Sequence, residues 1–230
     1  MPVPDPSVFY WPLVFLHVVA FAYWLGGDFG VYVTGGYVAR ADLPLAERLR
    51  FLEALLHIDI LPRTGIVLLP VIGLQVAALR GAIALPGWAL ACTWTLGLAW
   101  LALVWSVYRK RGTAQGERLQ RVDVGLRKVL IVVLVVVGAW SLAGDGPVLE
   151  RWLAAKFLTY ATLLVIGLWL RTVIRGWLVA LRALGAGASP AEAEAAERAI
   201  AEGIRRGRRG AYLFWAMIGV TAYLGLAKPF

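Results

Sequence analysis

Six long apolar stretches alternate with short polar ones along the chain, at about 11–37, 57–80, 88–108, 128–143, 152–174 and 210–227. A helix needs ~20 predominantly apolar residues to cross a bilayer. Hydrocarbon offers no water to unpaired backbone groups, so a spanning segment must satisfy them internally. The pattern predicts an all-α fold: a polytopic membrane helix bundle of six transmembrane helices, forming a single domain over 1–230.

The polar segments alternate in charge. Arg40, Arg48 and Arg50 follow the first stretch, and seven basic residues from Arg109 to Lys128 follow the third. Arg205, Arg206, Arg208 and Arg209 precede the sixth. The turn between the second and third holds only Arg80 before Leu85-Pro86-Gly87, and Gly144-Asp145-Gly146-Pro147 is acidic. Basic loops stay in the cytoplasm. Both termini are therefore expected outside, in a bacterial-type inner membrane. The beginning of the chain lacks the basic region of a cleavable signal and runs through Pro2, Pro4, Asp5 and Pro6 into a full-length span.

Two cytoplasmic segments read as helices. From Asp42 to Leu56, the residues Leu45, Leu49, Leu52 and Leu56 share one face, which suits an interfacial helix or one that continues into span two. Ser189-Pro190-Ala191-Glu192 has capping-box spacing with proline at the first helical position. It opens a connector helix over about 189–207.

Composition agrees with the pattern. Of 230 residues, 60% are hydrophobic and 16% charged, with a mean hydropathy of +0.73; soluble domains carry roughly 25% charged residues. The net charge of +9 sits between the spans, where it reports topology and contact with anionic lipid rather than nucleic acid. A single cysteine, Cys92, excludes an internal disulfide. No nucleophile triad, phosphate loop, dinucleotide fingerprint or His-Glu-x-x-His motif is present.

The candidate chemistry is intramembrane. An ionisable group in hydrocarbon costs at least ~2.5–3.5 kcal/mol on insertion scales, so it faces protein or water and takes a partner. On span one, His17, Phe21, Trp24 and Asp28 share a face, with Ala20 and Gly27 beside them. At ~1.5 Å per residue His17 lies ~9 Å below the outer boundary, and Lys156 on span five lies ~6–8 Å below it. Gln75 on span two reaches a similar depth, which gives an outer layer of His17, Gln75 and Lys156. Asp28 and Arg63 lie deeper and are expected to pair across spans one and two, because an unpaired buried charge is expensive. His57 and Asp59 are expected near the membrane surface. Histidine is a common axial ligand of haem iron, which makes His17 the leading ligand candidate. His57 enters from the opposite side, ~20 Å away along the normal, so the two histidines are not expected to share one haem.

The motif His17-x6-Trp24-Leu25-Gly26-Gly27 resembles the opening of the HemJ-type protoporphyrinogen oxidases and of the CopD-type copper-resistance proteins. The resemblance extends to Leu61-Pro62-Arg63-Thr64-Gly65 with Pro70 and Gly73-Leu74, and to Trp152-Leu153-Ala154-Ala155-Lys156. It covers spans one, two and five. It implies that His17 is a metal ligand holding haem b, that Lys156 is a functional lysine, and that Trp24 lines the cofactor or substrate face.

Three hypotheses follow. In the first, the chain is a haem-b-binding membrane redox protein, a candidate oxidoreductase acting on a porphyrin or quinone-like substrate or relaying electrons. Lys156 and Trp24 would then serve catalysis, and His17, Lys156, Arg63 and Gln75 would hold the cofactor. In the second, it transports a small solute, ion or metal on a CopD-like scaffold, with the Asp28–Arg63 pair as gate. Cu(I) needs soft thiolate or thioether ligands, and the chain offers only Cys92, Met217 and Met1. In the third, it is a homo-oligomer or a non-catalytic subunit, docking a membrane partner through its basic 198–209 segment and connector helix.

Overall fold

The computed structural model describes residues 6–230, so Met1 and the Pro2, Pro4 and Asp5 positions considered above lie outside the described residues. Among the described residues seven helices follow in order: α1 (Pro6–Val38), α2 (Leu45–Ile58), α3 (Ile60–Leu79), α4 (Gly87–Arg109), α5 (Ala114–Leu142), α6 (Arg151–Gly185) and α7 (Pro190–Ala227). Five helical stretches among the described residues are long and apolar enough to cross a membrane: Val8–Val38, Leu45–Leu79, Gly87–Arg109, Arg151–Gly185 and Pro190–Ala227. The apolar stretch 128–143 forms the second half of α5.

Six of the helices close a ring. α1 packs on α3, α3 on α4, α4 on α5, α5 on α6, α6 on α7, and α7 returns to α1. Each contributes a side chain to one central core, including Trp24, Val67, Trp100, Leu134, Leu163 and Ile218. Phe15, Leu96, Val133, Val165 and Val220 point outward and are exposed. A ring that is apolar inside and outside is the pattern of a bundle solvated by lipid.

Proline and glycine punctuate the ring. Pro62 and Pro70 each lack an N–H, which frees the carbonyls of Ile58 and Ile66. The first break falls beside Asp59, the single residue that separates α2 from α3. At the second, the buried Tyr160 hydroxyl donates to the Ile66 carbonyl and closes the gap from α6. α3 and α5 stop at Gly81 and Gly144, whose φ of 74° and 106° lie in the left-handed region. These two turns meet: Ile83 bridges Val148, and Ala82 accepts from Leu149 N at 3.0 Å.

The connector over 189–207 and the span over 210–227 form one continuous α7 of 38 residues, ~57 Å long. That exceeds a ~30 Å hydrocarbon core, as does the 35-residue α6. The connector and the span, expected as separate segments, are one helix, in which Gly203 and Gly210 serve packing against α6. A Cβ on Gly203 would overlap the Trp177 indole, and one on Gly210 would overlap Trp169. The Ser189 capping box opens α7 as expected, with Ser189 Oγ donating to Glu192 at 2.7 Å. The Ser189 hydroxyl and backbone N–H hold the Glu192 carboxyl below its ordinary range.

At the basic-loop end, Val38, Leu52, Leu181, Ala196 and Ile200 form a separate apolar cluster among α1, α2, α6 and α7. Leu49, expected on the apolar face of α2, is exposed, and Arg48 is buried in its place. Arg48 donates to the Val38 carbonyl at 2.9 Å and bidentately to Glu197 at 2.5 and 3.0 Å. Breaking a fully buried pair costs ~3–5 kcal/mol, but Glu197 keeps partial access to solvent. Arg48→Ala is therefore expected to destabilise by about 2 kcal/mol. Limited proteolysis should show this as faster cleavage within α2 and the first half of α7, while Arg50→Ala should leave the cleavage rate unchanged.

Candidate functional site

His17, on α1, lies against α3 where Gly73 leaves room. A Cβ on Gly73 would sit 3.0 Å from His17 Cε1, so a larger residue there would displace the imidazole. The Nδ1 atom is buried and makes no hydrogen bond. The polar groups acting on the ring are the Leu69 backbone and the Lys156 ammonium. A buried imidazole nitrogen without a partner is unusual, since buried polar side-chain atoms are nearly always satisfied.

Lys156 reaches this level from α6. Its Nζ packs over Gly225 of α7, 2.5 Å from where a Cβ would stand. No ion pair involves Lys156 among the described residues. Gln75, two residues beyond Gly73 on α3, accepts from Trp94 Nε1 at 3.1 Å and so ties α3 to α4. The expected outer layer thus has His17 and Lys156 within electrostatic reach of each other, with Gln75 engaged by its own partner.

Trp24 is buried in the ring. It packs edge-to-face on Tyr160 and Phe214, with centroids 6.4 and 5.8 Å away. Its position is that of a core side chain between the two polar levels.

The pair expected between Asp28 and Arg63 is not formed. Arg63 donates to Asp59, one turn earlier on its own chain segment. Asp28 stays within electrostatic reach of both, and its Oδ2 is buried without a hydrogen-bond partner. The local pair wins because i,i+4 neighbours meet with little loss of side-chain freedom. Arg63 also lies ten residues from Gly73 on α3, ~15 Å along the axis, and does not reach the level of His17. His57 caps back onto the Glu53 carbonyl at 2.7 Å and faces Tyr108, remote from His17.

A further buried cluster was not anticipated. Asp123 of α5 is 1% exposed and accepts from Arg127 at 3.1 Å, Arg171 of α6 at 2.7 Å and the Trp100 indole of α4 at 2.8 Å. Arg127 stacks over Trp100 at 5.1 Å, and its Nη2 is buried without a partner. Arg63 is within electrostatic reach of Asp123 and Arg171. One level of the bundle therefore gathers Asp28, Asp59, Asp123, Arg63, Arg127 and Arg171. Arg171 sits inside the apolar run Trp169-Leu170-Arg171-Thr172-Val173-Ile174, which was a legible signal. Asp123 and Arg127 have i,i+4 spacing but stand in a segment whose other charges are exposed.

Among the described residues no group of three or more His, Cys, Asp and Glu side chains converges as a metal site. Cys92 is exposed and alone. The fold and these clusters define a class: an all-helical bundle with five helices long and apolar enough to cross a membrane, carrying two levels of polar side chains inside. No protein-family profile, no curated protein and no solved structure matches the chain.

Proposed function

We propose that the chain is a haem-b-binding redox protein of a bacterial-type inner membrane, with six spans and both termini outside. It would act on a porphyrin or quinone-like substrate or relay electrons. The observation that carries the reading is the buried, unpartnered Nδ1 of His17 beside Gly73. The sixth span would be the second half of α5, where Val129, Val132, Val133 and Val136 face outward. The basic residues of the loops support the orientation.

The donor set fits haem at one ligand. Imidazole is a common axial ligand, and the buried Nδ1 of this one makes no hydrogen bond. Haem supplies one-electron redox chemistry that protein side chains lack. In this reading His17 ligates the iron. Lys156 is the second ligand or the group that holds a proton near the substrate, since it has no carboxylate to fix it elsewhere. Gly73 and Gly225 give both side chains room. Arg63, another cofactor-binding candidate, is paired with Asp59 and lies below the level of His17.

The test is the absorption spectrum of detergent-purified protein, oxidised and reduced, with a pyridine haemochrome assay. A Soret band with stoichiometric haem is expected, lost in His17→Ala while the variant stays monodisperse. A colourless, folded wild-type protein expressed with ample haem would overturn the reading.

A further inference from the structure

A cleft of about 80 Å³ lies between α1, α6 and α7. At one end stands Asp28, whose buried Oδ2 has no hydrogen-bond partner. At the other, nearer the basic loops, stand Gly35, Trp177 and Arg208. Seven residues of α1 separate Asp28 from Gly35, ~10 Å along the helix. Tyr32, Phe214 and Trp215 form the walls between.

The size and lining restrict the occupant. A volume of that size admits a short file of waters. A metal cation needs several oxygen ligands, and Asp28 is the one carboxylate in the lining. Arg208, its guanidinium over the Tyr32 ring at 5.7 Å, puts a fixed positive charge beside the far end. A proton does not need to travel as a bare ion, because it can pass along hydrogen-bonded waters.

We infer that this cleft is a proton-entry site, through which waters from the basic-loop side protonate and deprotonate Asp28. A hydronium gives its proton to the Asp28 carboxylate: an O–H bond forms on the carboxylate and the donor is left as neutral water. The reverse step returns the proton to the file. The protonated fraction rises as pH falls.

Every charged or titratable group facing Asp28 fits this role. On α1 there is Tyr32, whose hydroxyl shares a hydrogen bond with Tyr212 at 2.7 Å. Asp59 and Arg63, at the start of α3, engage each other. From α7 there is Arg208, and from α6 no titratable side chain lines the cleft. Asp28 is thus the carboxylate at this level that no cation holds. The inference rests on the membrane reading and the loop orientation, and is independent of haem.

Infrared spectroscopy of the protein in proteoliposomes, transferred from H2O to D2O at a series of pH values, tests it. A carboxylic-acid C=O band is expected in the wild type, absent in Asp28→Asn and displaced in Asp28→Glu. In Gly35→Leu the isotope shift of that band should slow about tenfold, the mark of access that now needs local opening. A Cβ on Gly35 makes ordinary contacts of 3.5 Å with Leu55 and Trp177, so a larger side chain starts without a backbone clash. A band that is the same in wild type and Asp28→Asn at every pH overturns the assignment of the carboxylate. Equally fast exchange in Gly35→Leu overturns the cleft as the route. Neither result bears on the Soret band, so failure here and failure of the haem reading are told apart.

Discussion

Asp123→Ala is expected to be the most destabilising single substitution within the polar interior, by ~3–5 kcal/mol, the range for removing one partner of a buried ion pair. The carboxylate is almost wholly buried and serves three donors from three helices: Arg127 on its own α5, Arg171 on α6 and the Trp100 indole on α4. Its loss leaves two guanidinium groups close together with no anion between them, on a background where Arg127 Nη2 already lacks a partner. Asp123→Asn should cost less, because an amide oxygen can still accept from Trp100, yet it leaves the two positive charges uncompensated. The decisive variant removes the set together. Replacing a buried ionic cluster with apolar residues of similar volume is often neutral or stabilising. Asp123→Leu combined with Arg127→Met and Arg171→Met should therefore recover most of the loss. Thermal unfolding in a single detergent, with monodispersity as control, checks all three. If the triple variant is as unstable as Asp123→Ala, the cluster does more than compensate its own charges.

That cluster also marks where the sequence could and could not be read. Hydropathy located six apolar segments, because lipid and core both demand apolar side chains and the demand is written locally. Their lengths were less legible. α6 and α7 run far past the apolar stretches, packed along each other where Gly203 and Gly210 accommodate Trp177 and Trp169, and such a tertiary contact is not written in the local hydropathy. Polar pairing was least legible. Asp28 and Arg63 share a level, as depth counting from the helical rise indicated, but depth does not choose between Asp28 and the nearer Asp59. Asp123 and Arg127 look like loop charges until α5 is seen to begin at Ala114 and to turn them inward. His17 and Lys156 were placed at one level by the same counting, and the electrostatic influence of the lysine on the imidazole agrees with it. The motif around Trp24 implied a cofactor face, and the indole packs edge-to-face on Tyr160 and Phe214.

Gly65→Leu is expected to be comparably severe for a different reason, one of space rather than charge. A Cβ at Gly65 would lie 2.8 Å from Trp24 Cβ, 3.1 Å from the Ala20 carbonyl oxygen and 3.4 Å from Trp24 Cα. Two of these three atoms belong to the backbone of α1 and cannot rotate away, so α1 and α3 would have to separate. Close approach through small residues is how helices gain packing in lipid, where no hydrophobic driving force holds them together. The same seam carries Gly27 against Pro62 and Gly73 against His17. Separation would loosen Trp24 from the core and shift the imidazole from its niche. Overpacking typically costs ~1–3 kcal/mol, and the upper end applies where backbone must move. The internal control is Gly26→Leu, one residue before Gly27 on α1, where an added Cβ meets nothing within 4 Å. Gly65→Leu should lower the unfolding temperature and, in the haem reading, weaken the Soret band, while Gly26→Leu changes neither. Equal behaviour of the two variants would show that α1 and α3 are not held by this contact, and the placement of His17 against Gly73 would fall with it.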